Sequence, residues 1–275
     1  MVIPTYNSAT TLEHCLDSIV TQSVPPKEIF IVDRFSTDDT TEIAKRFGTK
    51  VIQANANRSL GRNIGLKETT SDGIIFVDAD MRLARDLIGE CTELLKDYQA
   101  LVIPEVSIGE GFWAKCKSLE RRAHLDTKIE AARCFNRNAL LSLGGYNPNL
   151  ESGEDWDLHD RVRCSGLSIG RTKSILLHDE GEGSLLRILR KKFLYGSTMS
   201  AYLRANPRAP AYQLNPFSRV IATVRVSASD PIHGVGVFLL KALELSSAGS
   251  GWIVSKIVVR RHERTGQVDR AIIRE

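Results

Sequence analysis

The chain is expected to fold as an α/β protein, a Rossmann-like, mostly parallel sheet with helices on both faces plus a C-terminal helical appendage. Three observations predict this. In the first half, short β-branched runs alternate with helix-period segments, the pattern of βαβ units. One run, Gly73-Ile-Ile-Phe-Val-Asp-Ala-Asp80, ends in two carboxylates spaced one apart, as a buried strand delivering ligands to its carboxyl edge would. After about Gly183 the strand alternation stops.

The elements follow in order. Val2-Ile3 begin the first strand, with Met1 almost on top of its functional end. Leu12, Leu16 and Ile19 mark one face of a helix capped by Asn7 or Ser8. Pro25-Pro26 break the pattern, and Glu28 to Val32 form the second strand. Ser36-Thr37-Asp38-Asp39 start another helix, with Ile43, Ala44 and Phe47 inward and Gly48 as its stop. Lys50 to Gln53 read as a short strand, and Leu60 to Lys67 as a helix despite Gly61 and Gly65. The strand ending at Asp78 comes next, then a helix lined by Leu87, Cys91, Leu94 and Leu95, then strand Ala100 to Ile103. From Gly111 longer helices mix with short strands at Ala131 to Phe135 and Ser174 to Leu177. The expected division is residues 1–182 as the α/β domain and 183–275 as the helical region.

Composition narrows the classes. With 42% hydrophobic and 25% charged residues, a disordered chain is excluded. A net charge of +4 is too small to argue for nucleic acid, and no such partner is expected. The five cysteines (15, 91, 116, 134, 164) form no CxxC pair and read as buried or free thiols of a reducing compartment, hence a cytoplasmic expectation. The chain opens on Val2-Ile3-Pro4 without a basic leader, so no signal peptide is expected. No apolar run is expected to span a bilayer, because the best, Pro231 to Leu240, is ended by Lys241.

Two hard oxygen donors at a strand edge suit Mg²⁺ or Mn²⁺, which takes its other ligands from water and substrate phosphates. Asp78-Ala-Asp80 also reads as a plain polar turn. The turn after the first strand, Pro4-Thr5-Tyr6-Asn7-Ser8, lacks GxGxxG, which argues against a nicotinamide cofactor. GxxxxGK[ST] is missing as well, and so is the glycine-rich basic first loop of sugar nucleotidyltransferases.

What remains is a set of ordered motifs: Val2-Ile-Pro-Thr-Tyr-Asn7, Val32-Asp33 with Ser36-Thr-Asp38, Gly61-Arg-Asn63, Asp78-Ala-Asp80, Gly144-Gly-Tyr146, Gly153-Glu-Asp-Trp156 and His178. Together they cover about the first 180 residues and resemble the inverting family-2 glycosyltransferases of the GT-A fold. The resemblance implies a metal-dependent inverting hexosyltransferase. It would move one sugar from a nucleotide-diphosphate sugar to a hydroxyl of a saccharide or lipid-linked acceptor. By that resemblance Asp80 ligates the metal directly, and Asp78 contacts the ribose or the metal through water. His178 completes the metal or diphosphate site, where a lone histidine at a strand end would otherwise be a core or surface residue.

The Glu154-Asp155 pair would supply the catalytic carboxylates, with Asp155 as the base that deprotonates the acceptor in a single displacement. Read from the residues alone, Ser152 caps this helix, and acids in its first turn satisfy free N–H groups and the macrodipole. Trp156 lines the acceptor pocket or belongs to the core. Asp33 would read the base, Thr5 and Tyr6 would cradle it, and Arg62 would contact phosphate or base. Where the family commonly has Asp-Gly after its second strand, this chain has Arg34-Phe35, which loses glycine's easy access to positive φ.

In the tail, Leu185, Leu186, Ile188, Leu189, Phe193 and Leu194 interleave with Arg187, Arg190, Lys191 and Lys192. Such a helix lies on an anionic membrane surface, covers the acceptor site, or packs on the core with its basic residues solvated. The expected location is therefore cytoplasmic, with peripheral contact at the membrane face. QxxRW, associated with processive synthases, is missing, which favours single-sugar transfer. A polyprenyl-phosphate sugar synthase is the alternative within the fold, and Glu154-Asp155 argues against it, since an ionised acceptor needs no base. A catalytically silent scaffold is the alternative from another class.

Overall fold

The computed structural model describes residues 1–127, 129–207 and 216–265, the side chains of 216–220 and 258–265 excepted. The basic residues Arg260, Arg261 and Arg264 of the tail fall among those excepted. Period-2 alternation in the first strands separates two cores, one on each face of the sheet. Val2 of β1 (Val2–Thr5), Phe30 and Val32 of β2 (Phe30–Asp33) and Ile74 of β4 (Gly73–Ile75) point to one face; Ile3, Ile31 and Ile75 point to the other. Helices α1 (Ala9–Val20), α2 (Thr40–Arg46) and α4 (Leu87–Leu94) cover the second face. The first is covered by α3 (Arg58–Glu68), α6 (Arg137–Ser142) and α7 (Glu154–Cys164). Gly65 allows α3 to lie directly on β1, because a Cβ there would come within 2.4 Å of Val2.

β1, β2 and β3 (Lys50–Gln53) pair in parallel. A parallel bridge from Val2 to Phe76 joins them to β4. β4 pairs antiparallel with β8 (Ala132–Asn136), which pairs antiparallel with β6 (Ala100–Val102), itself parallel to β9 (Ile169–Arg171). The resulting order is β3-β2-β1-β4-β8-β6-β9. A smaller sheet, order β5-β10-β7, is built from β5 (Met81–Leu83), β7 (Glu105–Ile108) and β10 (Leu176–Asp179). Strands β5, β7 and β9 are short additions that the sequence pattern did not reveal.

From Leu185 the described residues are mainly helical. α8 (Leu185–Ala205), α9 (Pro216–Ser227) and α10 (Pro231–Thr265) gather around α5 (Phe112–Ala123). The expectation about bilayer-length segments needs correction. Pro231–Ile257, 27 residues, is long and apolar enough to cross a membrane by length and composition. Lys241 does not end it, because its ammonium turns inward to Glu120 and Glu244.

Two helix starts also differ from expectation. Neither Asn7 nor Ser8 caps α1 with its side chain. Asn7 Oδ1 instead accepts from the Thr37 amide at 2.9 Å, and the Asn7 amide donates to Ser36 Oγ at 2.8 Å. α2 starts only at Thr40, since Ser36 to Asp38 are spent tying the β1 and β2 loops together. All five cysteines are free, with Cys164 exposed.

Candidate active site

The carboxyl ends of β1, β2 and β4 open on one edge, and the chain's chemistry gathers there. Thr5 and Asp33, the last residues of β1 and β2, are buried neighbours: Thr5 Oγ1 donates to Asp33 Oδ1 at 2.9 Å. Ser36 closes the rest, donating from its amide to Asp33 Oδ2 at 2.8 Å. Asp33 thus holds its loop from inside, while Tyr6 and Phe35 stand exposed at the mouth, with Arg34 over the Tyr6 ring. Phe35 adopts the left-handed φ of 53°, so the chain reaches the glycine-type conformation without glycine, at a cost of about 1–2 kcal/mol.

Arg62 occupies the centre. It is fully buried, stacked on the Tyr146 ring, and bonds Asp78 Oδ1 at 2.8 Å and Asp155 Oδ1 at 2.7 Å. The direct phosphate or base contact expected of it finds no opening, because its guanidinium lies beneath the two carboxylates. Asn63 explains the neighbouring glycine motif: its side chain donates to Tyr146 O at 2.7 Å and accepts from the Tyr146 amide at 2.8 Å. Gly61-Arg-Asn63 and Gly144-Gly-Tyr146, remote in sequence, are one clip.

Asp78 also pairs with Arg133 at 3.4 Å. Burial disfavours its charge, but Arg62 and Arg133 outweigh that and hold its carboxyl well below the usual carboxylate range. Asp80 turns the other way, to His178 Nε2 at 3.3 Å. The register of the small sheet makes this meeting: His178 lies opposite Met81, and the Asp179 amide donates to Asp80 O at 2.7 Å. Burial opposes a charged imidazole, yet Asp80 and Glu105 push the His178 pKa up to about 9. Asp78, Asp80 and His178 therefore do not converge as one set. Among the described residues no group of three or more His, Cys, Asp or Glu is arranged to hold a metal. Asp80 and His178 do meet, and Asp80 Oδ1 is buried with no hydrogen-bond partner. An orphaned carboxylate oxygen beside an imidazole suits a divalent cation, which would displace the imidazole proton.

Asp155 stands in the first turn of α7, and its neighbour Glu154 is buried against Arg58 at 3.2 Å. Burial, and Asp155 beside it, raise the Glu154 pKa. Ser152 is not the cap. Gly153 takes that position at a left-handed φ of 74°, where a Cβ would come 2.7 Å from the Tyr202 ring. Ser152 Oγ is drawn instead to Thr198 Oγ1 at 2.9 Å, because α8 lies over this loop. Asp155 and Trp156 line a cleft of about 240 Å³ with Glu105, Arg121 and Arg133, walled on one side by Lys117 and Glu120 of α5.

Sequence reading missed Glu105, Arg121 and Arg133. Glu105 pairs with both arginines, and Arg133 also lies 3.9 Å from Asp155. A signal existed for two of them. Glu105 follows a strand just as Asp78 does, and Arg133 interrupts the apolar run of β8.

The mostly parallel sheet with helices on both faces, followed by C-terminal helices, is the GT-A fold. The chain belongs to glycosyl transferase family 2, whose family model matches residues 1–149. It is 26% identical over 217 residues to a PGL/p-HBAD biosynthesis glycosyltransferase of Mycobacterium tuberculosis, covering 74% of this chain and 85% of that protein. To glycosyltransferase GlyA of Streptococcus pneumoniae it is 35% identical over 106 residues, 36% of this chain but only 15% of that longer protein. The fold is shared with mannosyltransferase PcManGT from Pyrobaculum calidifontis, solved with GDP-Man and Mn²⁺. The TM-score is 0.57 at 19% identity, over 95% of this chain and 86% of that one. Staphylococcus aureus TarS 1-349, solved with UDP-GlcNAc, superposes at a TM-score of 0.55 and 16% identity, over 98% and 92%.

Proposed function

We propose that this protein transfers a single hexosyl unit from a nucleotide-diphosphate sugar to an acceptor hydroxyl, with inversion and with a divalent metal. One observation carries the reading most: Arg62 grips Asp78 and Asp155 together, so the donor-side carboxylate and the base candidate are fixed in one frame. Pre-orienting the reacting groups in this way removes much of the entropy cost of a bimolecular step.

In this reading the nucleotide sits at the mouth formed by Tyr6 and Phe35, with Asp33 and Thr5 shaping the loop from beneath. Asp80 and His178 would hold Mn²⁺ or Mg²⁺ together with diphosphate oxygens, and Asp78 faces the ribose side. The metal would neutralise charge developing on the departing diphosphate. The Mn²⁺ complexed in the PcManGT structure supports that assignment. Asp155 accepts the acceptor proton at its carboxylate as the hydroxyl attacks the anomeric carbon; Glu154 anchors the helix start. Arg62 and Arg133 are positioning residues: they hold both carboxylates aimed, and they keep Asp78 ionised. A carboxylate in the cleft wall favours a hydroxyl acceptor over a phosphate, which arrives already ionised.

Asp155→Asn tests the assignment. The variant is expected to fold and to bind nucleoside diphosphate as the wild type does, while transfer falls by at least about a hundredfold. Near-wild-type turnover would remove Asp155 from the chemistry. Calorimetry with nucleoside diphosphate, with and without EDTA, tests the metal: equal affinities would exclude it.

A further inference from the structure

Helix α10 has its polarity inverted. In water an amphipathic helix turns charges outward and apolar residues inward. Here Lys241 and Glu244 point inward, to Glu120, Lys117 and Lys192, and Glu244 is almost fully buried. Outward stand Ile232, Val235, Leu239 and Ile253 at helical spacing, with Leu245 on the flank of that stripe, all more than half exposed. The inner side is apolar too where it meets α5, through Val237 and Leu240 on Cys116 and Leu119. A helix apolar on both sides calls for a second apolar surface beyond the protein.

The charge around this face indicates what that surface is. Between Leu185 and Ile257 the only carboxylates are Asp230 and Glu244; the first is bound to His233 at 2.7 Å and the second is buried. Basic residues accompany exposed apolar ones throughout: Arg187, Arg190 and Lys191 with Leu186 and Leu194 on α8, Arg225 with Ile221 and Val224 on α9, and Lys256 beside Trp252 on α10. Apolar side chains rimmed by cations, without free acids, match an anionic bilayer surface. Close helix contact through small residues agrees with an apolar setting. A Cβ on Gly196 of α8 would come 2.0 Å from Ala248 O, and one on Gly251 would come 2.1 Å from Phe193 O.

We infer that α10, with α8 and α9, lies along an anionic membrane surface and sinks its outward face into the headgroup boundary. The helix lies flat rather than spanning, because α5 and α8 occupy its other side along most of its length. This position brings the cleft within one helix layer of the lipid: α5 contributes Lys117 and Glu120 to the cleft wall and holds α10 on the same helix. α8 in turn supports the loop before Asp155 through Ser152 and Thr198. The acceptor implied is therefore lipid-linked, a step that rests on the transferase reading; the docking itself does not.

Vesicle flotation of the full chain tests the docking without turnover. The protein should float with vesicles containing phosphatidylglycerol and bind pure phosphatidylcholine less, with rising salt weakening the difference. Ile232→Asp/Val235→Asp/Leu239→Asp should lower vesicle binding by at least about tenfold while keeping its melting-temperature response to nucleoside diphosphate. Leu245→Asp/Ile253→Asp provides the same comparison independently should the triple variant not fold. Wild-type protein that stays unbound on phosphatidylglycerol at low salt overturns the inference. So does a lipid-free dimer, seen by light scattering, that these substitutions split, and so does protein retained on vesicles through an alkaline wash, which would indicate a spanning helix. Loss of nucleotide binding with docking intact would count against the transferase reading alone.

Discussion

Two buried ionic clusters meet on helix α5, and they are built from different cations. Toward the sheet edge, Arg62, Arg121 and Arg133 bind Asp78, Glu105 and Asp155. Toward the C-terminal helices, Lys117, Lys192 and Lys241 bind Glu120 and Glu244. Arginine presents a planar fork that fixes the orientation of a carboxylate, whereas lysine is a point charge on a flexible stem. The first cluster therefore aims groups at a cleft; the second fastens one helix to another. Their burial differs in the same sense. The Arg62 side chain is 0% exposed, while those of Lys192 and Lys241 are each 29% exposed and keep some access to water.

That contrast orders the expected effects of substitution. Arg62→Lys should be the most damaging change, because it keeps the charge but loses the fork that holds Asp78 and Asp155 at once, leaving Arg133 as the one guanidinium that reaches both. Stability is expected to fall by about 3 kcal/mol in chemical denaturation, with transfer falling further than nucleotide affinity. A stability loss below about 1 kcal/mol would mean that lysine serves there equally well, and the distinction between the clusters would fail.

Glu244→Gln is the matching change in the lysine cluster. It leaves three ammonium groups facing Glu120 alone, but their partial solvation limits the damage to about 2 kcal/mol. Nucleotide affinity should be unchanged, since Glu244 contacts only the helix-fastening lysines. Calorimetric titration of the variant against wild type would reveal any loss and so sharpen or break the separation.

The smallest effect is a matter of pH. Three lysines and two glutamates leave one positive charge in excess, and burial lowers the Lys192 pKa from 10.5 to about 8. The folded protein then releases this proton before the unfolded chain does, so stability rises with pH from about 8 toward 10.5. Lys192→Met should be more stable than wild type at pH 7, by at least about 1 kcal/mol, with the gap closing over that window. Thermal melts at pH 7, 8.5 and 10 check it. A gap that does not narrow would place the excess charge elsewhere. The arginines themselves have no counterpart, since guanidinium does not titrate in this range.

How much of this was legible follows from what each signal reports. Alternation in Val2-Ile3 and Phe30 to Val32 disclosed the sheet, because period 2 is a local property of strands. Asp78 and Asp80 stood out because they end an apolar run. Glu105 and Arg133 escaped because a charge in a strand ordinarily points to water, and only the finished fold shows that these two face each other. Ser152 was misread as a cap because the rival partner, Thr198, lies 46 residues away. Lys241 looked like the end of an apolar segment because its partner on α5 is equally remote.

By itself, the sequence determined the βαβ order, the strand-edge placement of the Asp78–Asp80 pair and the position of Asp155 at the head of α7. All three depend on patterns within a few residues of each other. Only the tertiary structure decided which carboxylates share Arg62, that Asp78 faces arginines while Asp80 faces His178, and that α10 turns its charges inward. Those outcomes depend on long-range pairing of buried charge. Desolvation makes any unpaired ion so costly that the fold must bring each one a partner, and sequence distance carries no information about which partner it will be.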